Sequence, residues 1–164
     1  MIADTQLDPA AVELGNFYRR SPTVVWRALT EPDLLQRWLL RPTPFTATAG
    51  ARFRFTAPGA ALDQIACEVL VASPYVQLTY SWVYSQATYP ASWIVAWTLQ
   101  PQGSGTRLLL RQTGFDIEDR RQRMVRNAVE RSWKRNDVCC RGSVQCSITV
   151  ARHWLDAVSF ITSG

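Results

Sequence analysis

The sequence predicts an α+β domain in which an antiparallel sheet is covered by one long C-terminal helix. Three observations carry that reading. Two helix starts are packed between Ser21 and Trp38, segments of period two run from Phe45 to Thr113, and the period turns helical from Arg120 to Arg135.

The elements follow in chain order. Residues 1–10 read as a frayed leader, and Val12 to Arg19 has strand-like content with imperfect alternation. Ser21 is placed to cap a helix whose first turn holds Pro22, since proline's fixed φ suits that position and its missing N–H is not needed there. Thr30 reads as the opening of a second short helix, with Pro32 in its first turn and Asp33 at capping-box spacing. Two short helices bury little alone, so they must dock on a larger layer. Arg41-Pro42-Thr43-Pro44 breaks the chain.

Phe45 to Thr56 reads as strand, with Gly50 allowing a bulge or tight turn and Ala51, Phe53 and Phe55 alternating with Arg52, Arg54 and Thr56. Ile65, Cys67, Val69 and Val71 are expected on one face of the next strand, with Glu68 on the other. Ser73-Pro74-Tyr75 turns the chain, and Val76, Leu78, Tyr80 and Trp82 line the strand after it. Ala91 to Gln100 places Trp93, Val95, Trp97 and Leu99 together, Gln102 to Gly105 is a hairpin turn, and Thr106 to Thr113 is the last strand. Short turns between consecutive strands mean an antiparallel meander. From Arg120 to Arg135, Met124, Val125, Ala128, Val129 and Trp133 share one stripe, opposite Arg123, Arg126, Glu130 and Lys134. Arg121 projects to the apolar side, either snorkelling at the helix end or offering a polar contact at the mouth of a cavity.

Length and composition bound the class. A chain of 164 residues suits one domain, and 47% hydrophobic with 19% charged residues excludes disorder throughout. Seven Trp, five Tyr and six Phe fit an apolar cavity, but composition alone favours an ordinary large core slightly more. The net charge of +5 rests almost wholly on Arg, with Lys134 the single Lys. The densest basic run, Arg120 to Arg135, is interspersed with Asp and Glu nearby, which reads as a solvated helix face and not as a nucleic-acid surface. No signal-peptide pattern opens the chain and no apolar run approaches the roughly 20 residues a membrane span needs, so a cytoplasmic protein with no membrane partner is expected. Cys67 reads as a small buried hydrophobe; Cys139, Cys140, Cys146 and His153 have no standard zinc spacing, and no metal or other cofactor is expected.

The order strand, two short helices, meander and final helix, together with particular residues, resembles the family related to the activator of the ninety-kilodalton heat-shock protein ATPase. That family lies within the START/polyketide-cyclase-like, birch-pollen-allergen-like superfamily. The likeness rests on Ser21-Pro22, Val25-Trp26, Leu29-Thr30, Pro32, Leu35 and Trp38, then Pro74, Leu78 and Trp82, Gly105-Thr106-Arg107-Leu108 leading to Gly114-Phe115, and Ser132-Trp133. It implies a helix-grip fold over residues 11–135: a curved antiparallel sheet of six or seven strands around a long C-terminal helix, with a hydrophobic cavity between them. Asn136-Asp137 and Arg141-Gly142-Ser143 depart from the family's Leu-rich continuation. Residues 136–164 are therefore expected to form a divergent tail, either prolonging the last helix or making a separate short one.

No catalytic constellation is visible. There is no G-x-S-x-G elbow, phosphate loop or H-E-x-x-H, and the only His lies in the tail. The leading function is binding of a hydrophobic or aromatic small molecule. Phe53, Tyr80, Trp82, Trp93, Trp97, Met124 and Trp133 would form the walls, with Arg111 or Arg121 holding a polar group. The resemblance also implies two alternatives: a chaperone-accessory, stress-response protein with a protein partner, or an enzyme of cyclase or aromatase type. The competing structural reading is that the rings simply pack a core.

Overall fold

The computed structural model describes residues 8–56, 64–84 and 91–139. Seven strands form one antiparallel sheet: β1 (Val12–Tyr18), β2 (Pro42–Thr43), β3 (Arg52–Thr56), β4 (Gln64–Ser73), β5 (Gln77–Tyr84), β6 (Ala91–Gln102) and β7 (Gly105–Thr113). The order across the sheet is β1-β7-β6-β5-β4-β3-β2, so β3 to β7 are a true meander and β1 returns to lie beside β7. Between β1 and β2 come α1 (Pro22–Thr30) and α2 (Pro32–Leu35); α3 (Arg120–Cys139) ends the described chain. This α+β arrangement is consistent with the expected helix-grip fold.

Local chemistry explains the corner between β1 and β2. Ser21 caps α1 through its side chain, which accepts from the Val24 amide at 3.4 Å, and Pro22 occupies the first turn. Thr30 does not open the second helix. It closes the first, donating its hydroxyl to the Trp26 carbonyl at 2.8 Å. The break falls at Glu31, whose extended backbone (φ −85°, ψ 119°) is the conformation a residue before proline prefers. Trp38 then ties the corner together, its indole N–H donating to the Ala28 carbonyl at 2.9 Å.

Two further expectations are corrected by the strands. Phe45 to Ala51 is not strand: Pro42–Thr43 forms the short edge strand β2, and a turn with Gly50 at φ +87° leads into β3. Val71 does not share the face of Ile65, Cys67 and Val69. Between Val69, opposite Tyr80, and Val71, opposite Thr79, β4 carries one extra residue, a bulge at Leu70. The bulge turns Val71 outward, where it is 41% exposed.

The core lies on one face of the sheet. Phe53, Phe55, Ile65, Cys67, Val69, Leu78, Tyr80, Trp82, Trp93, Val95, Trp97, Leu99 and Leu110 point there, and α1, α2 and α3 contribute Val25, Trp26, Leu29, Leu35, Val129 and Trp133. Val125, Val129 and Trp133, four residues apart, are the inward stripe of α3.

Arg126 is not on a solvated face as its helical position suggested. Its guanidinium donates to the Ala11 carbonyl from Nε (3.3 Å) and Nη2 (2.8 Å), and from Nη1 to Glu130 at 2.9 Å. The side chain keeps only 16% of its exposure, because the flank of α3 runs along the start of β1. The helix also passes through Asn136-Asp137 to Cys139, so no break falls there. Nothing further of the tail expectation can be placed: 140–164 lie outside the described residues, as do Cys140, Cys146 and His153.

Arg126→Ala removes two charge-assisted bonds to a backbone carbonyl and leaves Glu130 half-buried. The expected loss is about 1–3 kcal/mol in urea unfolding, with an unchanged slope. An unchanged midpoint would mean that the clamp contributes nothing.

Candidate functional site

The aromatic residues of the core face are arranged around Trp97. Its ring meets Trp38 edge-on at 5.7 Å and Trp133 edge-on at 5.4 Å, near-perpendicular in both cases. Its indole N–H donates to the Tyr80 hydroxyl at 3.1 Å. Tyr80 touches Phe53 (5.5 Å), and Phe53 meets both Phe45 (4.9 Å) and Phe55 (5.3 Å) edge-on. Phe55 continues to Trp82 at 5.1 Å. Trp93 stacks on Phe115 at 5.3 Å, where Gly114 at φ +107° passes so close to β6 that a Cβ would lie 2.7 Å from the Ser92 carbonyl.

The residues expected at the site divide sharply. Phe53, Tyr80, Trp82, Trp93, Trp97 and Trp133 are all buried and share this interior. Arg111 does not join them. In an alternating strand it must face away from Leu110 and Gln112, and it sits on the outer face paired with Glu13 (3.2 Å) and Asp8 (3.4 Å). Arg121 is exposed in the first turn of α3. Met124, on the margin of the stripe, is 46% exposed.

One residue missed in the sequence lies at the centre. Gln112 is completely buried, and its Oε1 accepts from the Trp133 indole at 2.8 Å. It faces inward by the same alternation that turns Arg111 out, a signal that was available in Leu108, Leu110 and Gln112. Trp38, Phe55 and Phe115 also belong to the interior, although the sequence did not place them among the walls.

The titratable groups here are held neutral. Burial pushes the Tyr80 hydroxyl well above the usual phenol range, although the bond from Trp97 works against it. Burial likewise pushes the Cys67 thiol up. Neither makes a nucleophile or base. Among the described residues no group of His, Cys, Asp and Glu is placed to hold a metal, and no helix is long and apolar enough to cross a membrane. The site can therefore offer shape, apolar surface and a few neutral hydrogen-bond groups.

A family model described as Activator of Hsp90 ATPase homolog 1-like protein matches residues 19–136. The chain belongs to that family. Among solved structures, protein MLL2253 from Mesorhizobium loti is 27% identical, with a TM-score of 0.67 over 89% of this chain and 96% of its own. CalU16 from Micromonospora echinospora is 22% identical, with a TM-score of 0.62 over 91% of this chain and 88% of its own. An Hsp90 activator from Plasmodium falciparum is 16% identical, with a TM-score of 0.54 over 66% of this chain and 75% of its own. At these last two identities the likeness concerns the fold. No curated protein matches the chain.

The neutral Tyr80 and Cys67 make the stability of the fold fall at alkaline pH. Unfolded, a thiol and a phenol release their protons near pH 8.5 and 10, whereas folded they keep them. Their contribution is thus complete below about pH 8.5 and falls as pH rises through both values. Denaturant unfolding between pH 7 and 11 should show this decline. Cys67→Ala should remove its earlier part and Tyr80→Phe its later part; identical profiles in all three proteins would contradict the assignment.

Proposed function

We propose that this protein binds a hydrophobic or aromatic small molecule in the space between the core face of its sheet and α3. The observation that supports the reading is the buried aromatic set Phe53, Tyr80, Trp82, Trp93, Trp97 and Trp133, gathered on one face of the sheet and at the helix. Ligand sites are lined in this way, with few polar groups to fix orientation. Arg111, Arg121 and Met124 are dropped from the proposed walls because of their exposure, and Gln112 is added.

A second reading, as an accessory to a chaperone ATPase, is favoured by the family's description. It calls for a surface and not for an interior, so the two are separable. Stimulation of Hsp90 ATPase by this protein, with no small molecule bound, would favour it.

The ligand-binding reading is tested with N-phenyl-1-naphthylamine, a neutral fluorescent probe. Saturable enhancement of the probe at one site per chain, with quenching of tryptophan emission, is the expected outcome. Val129→Trp, which adds bulk one helical turn from Trp133 on the inward stripe, should weaken the probe at least tenfold. Non-saturable enhancement, equal in the variant, would defeat the reading.

A further inference from the structure

Tyr80 and Gln112 stand in one row across the sheet. Val69 on β4 is opposite Tyr80 on β5, Tyr80 is opposite Val95 on β6, Val95 is opposite Gln112 on β7, and Gln112 is opposite Val12 on β1. All five are buried, the four other than Tyr80 completely. Two strand spacings separate the polar pair, about 10 Å between backbones, with only a valine between.

Each polar group in the row is oriented by an indole. An indole N–H can only donate. Trp133 therefore fixes the Gln112 amide with its oxygen toward α3, which commits Nε2 to the other side. That amide nitrogen has no hydrogen-bond partner among the described residues. Trp97 in the same way obliges the Tyr80 oxygen to accept, and none of the described residues takes the hydroxyl hydrogen. Gln112 and Tyr80 thus each carry a donor that geometry commits away from its indole partner. A buried amide without a partner costs enough to demand an explanation.

The complement of such a site is an acceptor without charge. No Lys or Arg is buried among the described residues of the core, so a carboxylate or phosphate brought inside would lose its hydration without gaining a counter-ion. A hydrocarbon would leave the donors as they are. Resting on the ligand-binding reading above, we propose that Gln112, with Tyr80 as the second donor of its row, selects neutral flat molecules bearing ketone- or quinone-type oxygen.

Three probes of one shape test this: fluorene, 9-fluorenone and fluorene-9-carboxylate, with dissociation constants from equilibrium dialysis at pH 7. The wild-type protein should bind fluorenone roughly three- to tenfold more tightly than fluorene, the worth of one net hydrogen bond, and the carboxylate least well. Gln112→Met should reduce the ratio of ketone to hydrocarbon affinity, and the double variant with Tyr80→Phe should bring that ratio to about one, whatever happens to the affinity for fluorene itself. Equal wild-type binding of ketone and hydrocarbon, tighter binding of the carboxylate, or a preference that survives in the double variant would each overturn the proposal. If N-phenyl-1-naphthylamine binds saturably and these outcomes occur, only the oxygen selectivity fails; if neither that probe nor any fluorene binds, the underlying reading fails with it.

Discussion

Trp133 is the contact on which the arrangement of layers depends. An amphipathic helix and a sheet can associate in many registers, since apolar burial is not directional. The hydrogen bond from Trp133 to Gln112 and its edge contact with Trp97 are directional, and they join α3 to β7 and β6 at one point. Arg126 adds a second point two turns earlier, at the Ala11 carbonyl where β1 begins. Two fixed points along a helix determine its crossing, and the stripe of Val125 and Val129 fills in between.

The same contact governs what the interior can do. Because Trp133 donates to the oxygen of Gln112, the amide nitrogen is left as a donor; because Trp97 donates to Tyr80, the phenol hydrogen is left in the same way. Trp38 supports Trp97 from the α1–α2 corner, itself held by the Ala28 carbonyl. The polar chemistry of the core is therefore a consequence of tryptophan packing. A charged residue could not have been oriented in this manner without a buried counter-charge, which is why the arginines of β7 and α3 lie outside or at the flank.

Much of the architecture was legible because it follows from period alone. Trp93, Val95, Trp97 and Leu99 share a face since strands alternate, and Trp133 falls inward with Val125 and Val129 since helices return every four residues. What escaped was decided between elements. The bulge at Leu70 depends on how β4 meets β5, and it reverses Val71 without any mark in the alternation itself. Arg126 looked solvated because a helical wheel does not know that β1 runs beside it. Thr30 had the spacing of a cap, but the pre-proline conformation of Glu31 moved the boundary one residue on. At the site, Arg111 was favoured for its charge although alternation already placed it outside, and Gln112, one residue further, was passed over because a neutral amide carries no obvious signal.

The most direct test is a double-mutant cycle on folding stability with Trp133→Phe and Gln112→Leu, which removes the hydrogen bond from either side while the packing lost with the indole cancels between the two legs. If the bond positions the helix, the two substitutions are coupled by about 1 kcal/mol or more, with the pair less damaging than the sum of the singles. Strict additivity would show that α3 is held on the sheet by apolar packing alone and would contradict the account.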